Sequence, residues 1–281
     1  MIVDPPLRGG RETKSGKIIF HQTCFSGLRG GRLAKSQFVL TTGVLHPKGV
    51  RPDLQSDRTV GAIVSPMAVV AIAGRKGGIG KSTIAGNLAA EFAAMGQTVA
   101  ALDADPQHSL AAWAKQGDGM LLQCVEKLDR GSPSELHAKV RAAQKTADVV
   151  IIDTPPGIQE IAYQAMLVAD LVLLPCGPSP LDLFPLKEAL GLALKARAER
   201  RSKKPRIRFV PSKVLKNTNL GRGLSSSLEQ LGKKVLPEIG QRIVVAEAVM
   251  SGLTVREYAP GSTAAAEFEQ LAKAVDKIVR R

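Results

Sequence analysis

Cysteine is scarce in this 281-residue chain, with three residues at Cys24, Cys124 and Cys176. None stands in a CxxC or Cys/His spacing, which argues against a zinc site or a disulfide framework and fits a reducing cytoplasm. Aromatic residues are also few, 4% of the chain with one Trp and two Tyr. A core must therefore be built from Ala, Val, Leu and Ile, the side chains that fill a parallel sheet covered on both faces. No apolar run approaches the roughly 20 residues of a membrane-spanning helix, and the N-terminus lacks the apolar core of a signal peptide. Acidic residues are outnumbered, 25 against 39 basic, for a formal charge of +14. A surface of that sign attracts polyanions such as nucleic acid or anionic lipid.

What is present changes character near residue 66. Residues 1–66 show no useful periodicity and are rich in Gly, Arg, Lys and Ser, as in SGLRGGRLAKS. Ten of them are basic and four acidic, so the stretch reads as a basic, disordered extension. A DNA-touching arm is one alternative. Another is a mis-assigned start, because Met67 stands just before VVAIAG, the first buried-strand pattern.

From Met67 to Arg281 short apolar runs alternate with longer amphipathic segments, the rhythm of βαβ units. The pattern predicts strands at Val69–Ala73, Thr98–Leu102, Leu121–Val125, Val149–Ile152, Leu171–Pro175 and Ile207–Pro211. It predicts helices at Ser82–Met95, Ser132–Thr146, Leu181–Arg197 and Ala264–Val279. These describe one α/β domain, doubly wound around a mostly parallel sheet, with ligands at the carboxyl ends of the strands.

VVAIAGRKGGIGKST runs from strand through glycine-rich loop to helix start, the setting of a phosphate-binding loop. Glycines let backbone N–H groups converge on phosphate oxygens, and the helix N-terminus adds its positive dipole end. Lys81 would reach the β- and γ-phosphates, and the Ser82 hydroxyl would face Mg²⁺. The usual spacing GxxxxGK[ST] fails by one position, because Arg75 stands where the first glycine belongs. Two acidic sites follow. LDADPQ carries Asp103 and Asp105 at a strand end, and residues i and i+2 of an extended chain point to one face. VVIIDTPPG ends an apolar strand in Asp153, the Walker B arrangement beside a phosphate loop.

KGGIGKST resembles the deviant Walker A loop of the ParA/MinD family of ATPases, KGGxGK[ST], and the DxDPQ segment fits the same family. The resemblance covers about residues 67–281. It implies a fold of P-loop NTPase type, ATP and Mg²⁺ as cofactors, and a nucleotide cradle of Lys76, Gly77, Gly78, Ile79, Gly80, Lys81, Ser82 and Thr83. It makes Lys76 a signature lysine that acts across a dimer, Lys81 and Asp105 the other catalytic residues, and Asp105 the residue orienting the attacking water. Ser82 and Asp153, with Asp103 close to the outer shell, would serve the metal. Pro155, Pro156 and Gly157 would form a switch that senses the γ-phosphate.

LLPCGPSPLDLFPLKEAL resembles the LIPVxPSPLD stretch of plasmid partition proteins, closest to the short ParF-like branch without an N-terminal helix-turn-helix domain. The function this implies is a slow, partner-stimulated ATP hydrolase of the cytoplasm and nucleoid. It would dimerise on ATP, bind DNA without sequence preference and drive partition with a ParB-like, centromere-binding adaptor. Lys213, Lys216, Arg222 and Arg242 lie where that family carries DNA contacts. KARAERRSKKPR, residues 195–206, is either a second DNA surface or a solvated helix end. Alternatives keep the ATPase but change the cargo to a microcompartment, chemotaxis cluster or conjugation complex, or make the chain a DNA-bound scaffold without useful hydrolysis. A membrane-positioning, MinD-like reading would need an amphipathic tail. Phe268, Leu271, Val275 and Ile278 do share a helical face, but with one aromatic and no basic apolar tail they fit packing on the sheet better, and no membrane partner is expected. Tyr163 and Tyr258 alone make no tyrosine cluster, which sets aside a kinase of similar loop type.

Overall fold

The computed structural model describes residues 67–157 and 160–280. The extension expected over residues 1–66 lies outside them. Six parallel strands form one sheet in the order β3-β2-β4-β1-β5-β6. They are β1 (Ala68–Ile72), β2 (Val99–Asp103), β3 (Val125–Lys127), β4 (Val149–Asp153), β5 (Leu171–Cys176) and β6 (Arg206–Pro211). β1 sits near the middle, in register with β4 from Ala68↔Val149 to Ile72↔Asp153 and with β5 through Val70↔Leu171.

The alternation of a strand's side chains divides the core into two layers. Val69 and Ala71 of β1, Val150 and Ile152 of β4, and Val172 and Leu174 of β5 face one side. There they meet α4 (Pro133–Ala143), α5 (Glu160–Val168), α6 (Pro180–Glu199) and α7 (Asn219–Glu229). Val70, Ile72, Val149, Ile151, Leu171 and Leu173 face the other side. That layer holds α1 (Lys81–Ala94), α2 (Ser109–Gln116), α3 (Leu121–Cys124), α8 (Ile243–Met250), α9 (Val255–Tyr258) and α10 (Thr263–Val279). The side chains are short because helices lie on both faces, and the scarce aromatics Phe92, Phe209 and Phe268 are each fully buried.

One expected element is corrected. Leu121–Val125 is not a strand: Leu121–Cys124 forms a helical turn, and the strand is Val125–Lys127 at the sheet edge. An edge strand of three residues buries little, so its apolar signal merges with the turn that leads into it, where only Leu121 is buried. The last helix behaves as expected. Phe268, Leu271 and Val275 are fully buried in the layer beside α1, each contributing about 1.5–3 kcal/mol by burial. That face is thus occupied within the domain, and among the described residues no helix is long and apolar enough to cross a membrane.

Candidate functional site: a phosphate loop at the carboxyl ends of four strands

The loop between β1 and α1 reverses direction through two glycines in the left-handed region, Gly78 at φ 72° and Gly80 at φ 94°. A side chain at Gly80 would be strained by that backbone and would press on the Ser212 hydroxyl, 3.0 Å from a Cβ there. Gly80 caps α1 without a side-chain hydrogen bond, so the first-turn N–H groups keep their positive end free for an anion. Lys81 begins that helix, is buried, and points back over the loop, its ammonium 3.3 Å from the carbonyl of Lys76. Burial lowers its pKa, while the carboxylates of Asp153 and Asp105 pull it back up. A lysine with so little protein hydrogen bonding is poised for an oxyanion ligand.

Asp153 ends β4 as the Cα partner of both Ile72 in β1 and Asp103 in β2, so strand pairing itself brings it beside the loop. Both of its carboxylate oxygens are buried with no hydrogen bond that meets normal geometry. Burial pushes its pKa up to about 7, against the pull of the Ser82 hydroxyl. A buried carboxylate beside a hydroxyl, with its oxygens unclaimed, is a donor set that fits Mg²⁺. Asp103 differs. Its two oxygens already accept the backbone N–H groups of Asp105, at 3.1 Å, and Ala111, at 2.9 Å. It is wholly buried, which raises its pKa against those two bonds. The structure thus ties Asp103 to the turn that presents Asp105 and starts α2. Asp105 in turn accepts the N–H of Gln107 at 2.9 Å, which fixes its own rotamer.

The segment after β4 is anchored from both sides. The Thr154 hydroxyl donates to the carbonyl of Ile72 at 2.9 Å, and Gly157 N–H donates to the carbonyl of Arg75 in the phosphate loop at 2.9 Å. Lys76, predicted at the front of the loop, is half-exposed and turned outward, its ammonium donating to Asp182 in the first turn of α6. Arg75 pairs with Glu188 one to two turns further along the same helix.

The structure also brings in residues that motif reading missed. Ser212, just past β6, donates its hydroxyl to the carbonyl of Ile79 at 2.8 Å and so fixes the loop from the far side. Beyond it a groove of about 730 Å³ runs from Gly80 and Thr83 between Lys213 and Leu215 on one wall and Val245, Val249 and Met250 of α8 on the other. Of the predicted DNA contacts, Lys213 lines this groove in a left-handed backbone, φ 56°. Arg222 is exposed at the start of α7, its guanidinium donating to the side-chain amide oxygen of Asn219. Lys216 and Arg242 instead converge on the buried carboxylate of Glu267, at 3.6 and 2.7 Å. The 195–206 run lies at the opposite end of the parallel sheet, where α6 finishes and β6 begins. There Arg200 donates to the Ala169 carbonyl, Lys204 to Asp170 at 2.7 Å and Arg206 to the Ile278 carbonyl.

Residues 70–255 match the family described as the CobQ/CobB/MinD/ParA nucleotide binding domain. A carboxysome-distribution protein, maintenance of carboxysome distribution protein A of Halothiobacillus neapolitanus, is 32% identical over 207 residues, which cover 72% of this chain and 93% of that protein. The chromosome-partitioning ATPase Soj of Thermus thermophilus is 28% identical over 239 residues, covering 73% and 94%. Among solved structures, apo McdA of Cyanothece superposes with a TM-score of 0.63 at 19% identity, covering 74% of this chain and 99% of that one. Septum site-determining protein MinD of Pyrococcus horikoshii with Mg-ADP gives 0.61 at 23% identity, covering 75% and 97%. With its glycine loop, buried lysine and unclaimed strand-end carboxylate in place, the chain belongs to the CobQ/CobB/MinD/ParA nucleotide-binding family, among its ParA/MinD-type ATPases.

Proposed function

We propose that the chain is a Mg²⁺-dependent, cargo-positioning ATPase that dimerises around two ATP molecules, binds DNA without sequence preference in that state and lets go after hydrolysis. The observation that carries this reading is the division between two lysines of one loop. Lys81 is buried over the cradle, while Lys76 is half-exposed and turned out of it onto Asp182 of α6. In this reading Lys81 neutralises the phosphates of its own nucleotide and the first-turn N–H groups of α1 cradle them. Ser82 and Asp153 hold Mg²⁺, which would spread the charge of the transferring phosphoryl group. Asp105, steadied by Asp103, orients the attacking water, and the base lies in the groove between Lys213 and α8. Lys76 reaches the phosphates of the partner copy, adding positive charge to the transition state as an arginine finger does. Apolar side chains exposed at the same end, Leu181 and Phe184 on α6 and Ile243 and Met250 on α8, suit a face that a second copy covers.

The cargo follows from the relatives by similarity alone. Partition of a DNA molecule through a ParB-like adaptor is one reading, and the 32%-identical relative named for carboxysome distribution favours a protein microcompartment as a second. ATP turnover measured with DNA and with each kind of candidate adaptor tests both. Slow basal turnover raised by a DNA-binding adaptor supports partition, and stimulation by a shell-associated protein supports the microcompartment. Brisk turnover indifferent to every partner sinks the positioning function.

A further inference from the structure

Lys76 does not wait free in solvent. Its ammonium donates to Asp182, whose side chain is 9% exposed while that of Lys76 is 45% exposed. Asp182 is placed with care: Ser179 caps α6 by accepting the Leu181 N–H at 3.2 Å, Pro180 opens the helix, and Asp182 N–H closes on the Ser179 carbonyl at 2.9 Å. Residue 177 is glycine where any Cβ would run into the Asp182 carboxylate. The carboxylate also sits in the first turn of a 20-residue helix, whose positive end favours it as an anion whether or not the lysine is present. Such a carboxylate can give up its lysine without becoming an uncompensated buried charge. Arg75, the residue before Lys76, is held on the same helix by Glu188, so α6 grips the front of the phosphate loop at two points.

We propose that Asp182 is a positioning residue for hydrolysis, holding Lys76 within its own subunit until a second nucleotide-loaded copy presents phosphates that compete for it. The ion pair thereby sets the protein concentration at which ATP drives dimerisation. The inference rests on the reading that Lys76 acts across the dimer. Asp182→Asn keeps the shape and removes the charge. Followed by sedimentation with a non-hydrolysable ATP analogue, this variant is expected to dimerise at a concentration about tenfold lower than the unsubstituted chain, the scale of one released charge-assisted hydrogen bond. Its kcat measured below the dimerisation midpoint rises, while KM for ATP stays as it was, a split that mere loosening of the fold does not produce. The double variant Lys76→Ala with Asp182→Asn falls back to the level of Lys76→Ala.

If Lys76→Ala abolishes dimerisation but Asp182→Asn has an unchanged or higher midpoint, the positioning role falls and the action of Lys76 across the dimer stands. If Lys76→Ala dimerises like the unsubstituted chain, that underlying reading falls. Should Asp182→Asn fail to fold, lysine acetylation of the unsubstituted, nucleotide-free chain decides. Lys76 is expected to react several-fold more slowly than exposed Lys187, and equal rates overturn the proposal.

Discussion

Two groups of buried charges in this domain are treated in opposite ways. On the α10 side, Glu267 accepts from Gly240 N–H at 2.9 Å and from Arg242 at 2.7 and 3.2 Å, and Glu91 accepts from two nitrogens of Arg256 at 2.8 and 3.0 Å. At the carboxyl ends of β1 and β4, Asp153 has no hydrogen bond of normal geometry and Lys81 has only a 3.3 Å contact. Burying a charge without partners costs stability, so a fold keeps one only where something else supplies the partner. The saturated group holds elements together, and the unsaturated group forms the candidate site.

Substitutions at the two groups separate the interpretations, and the largest effect is expected at Lys81. Lys81→Ala should weaken ATP binding by about 100-fold or more, since a desolvated charge-assisted contact to phosphate is lost. Little thermal stability should go with it, because the lysine's hydrogen bond within the fold is a long one, 3.3 Å to the Lys76 carbonyl, and its own burial offsets the attraction of Asp153 and Asp105. Equilibrium titration with a fluorescent nucleotide, beside a melting curve, checks both halves. Asp153→Asn should abolish the Mg²⁺ dependence of nucleotide binding and raise the melting temperature of the nucleotide-free protein, because an unpartnered buried carboxylate is replaced by a neutral amide. A lower melting temperature would place Asp153 with the structural group.

Glu267 should behave in the reverse sense. Glu267→Gln is expected to cost about 1–3 kcal/mol, less than a fully buried pair because Arg242 is 30% exposed and Lys216 54% exposed. Although burial alone would raise its pKa, the bonds from Arg242 and Gly240 hold the carboxyl below the usual glutamate value of 4.5. A lowered folded pKa means stability present above that value and lost as pH falls through the folded one. The gap between the native chain and Glu267→Gln should therefore be full at pH 7 and narrow in urea-unfolding curves as pH falls below 4.5 and through the lowered folded value.

The same contrast explains what could be read before the fold was seen. The strands around the site were legible because β1, β2, β4 and β5 are near-continuous apolar runs and β6 sets Ile207, Phe209 and Val210 around Arg208. Asp103 and Asp153 end β2 and β4, with Asp105 and Lys81 in the segments that follow β2 and β1, where chain order alone places ligand-binding groups. β3 was misplaced because an edge strand of three residues leaves almost no periodic signal. Ser212 and Glu267 were invisible for another reason. Each acts on a partner more than 20 residues away, Ile79 and Gly240, and nothing in a local pattern records a contact made by folding. Asp182 stood inside a recognised stretch, yet its hold on Lys76 spans 106 positions.

The smallest expected effect concerns the four basic residues predicted to touch DNA, which the structure divides by the same rule. Lys216 and Arg242 are claimed by Glu267, and the Glu238 and Glu267 carboxylates raise the pKa of Lys216. Lys213 and Arg222 have no acidic partner among the described ion pairs. A cation already neutralised within the fold releases fewer phosphate counterions when DNA arrives, whereas a free one contributes about 0.9 to the slope of log affinity against log salt. Lys213→Ala and Arg222→Ala should each lower that slope by about 0.9 per subunit with an unchanged melting temperature. Lys216→Ala and Arg242→Ala should leave the slope nearly intact and lower the melting temperature instead. DNA affinity of the ATP-bound form, titrated between low and moderate salt, reads the difference directly. Four equal slopes would mean that the Glu267 cluster opens when the protein meets DNA, and the division between saturated and waiting charges would then hold only for the free protein.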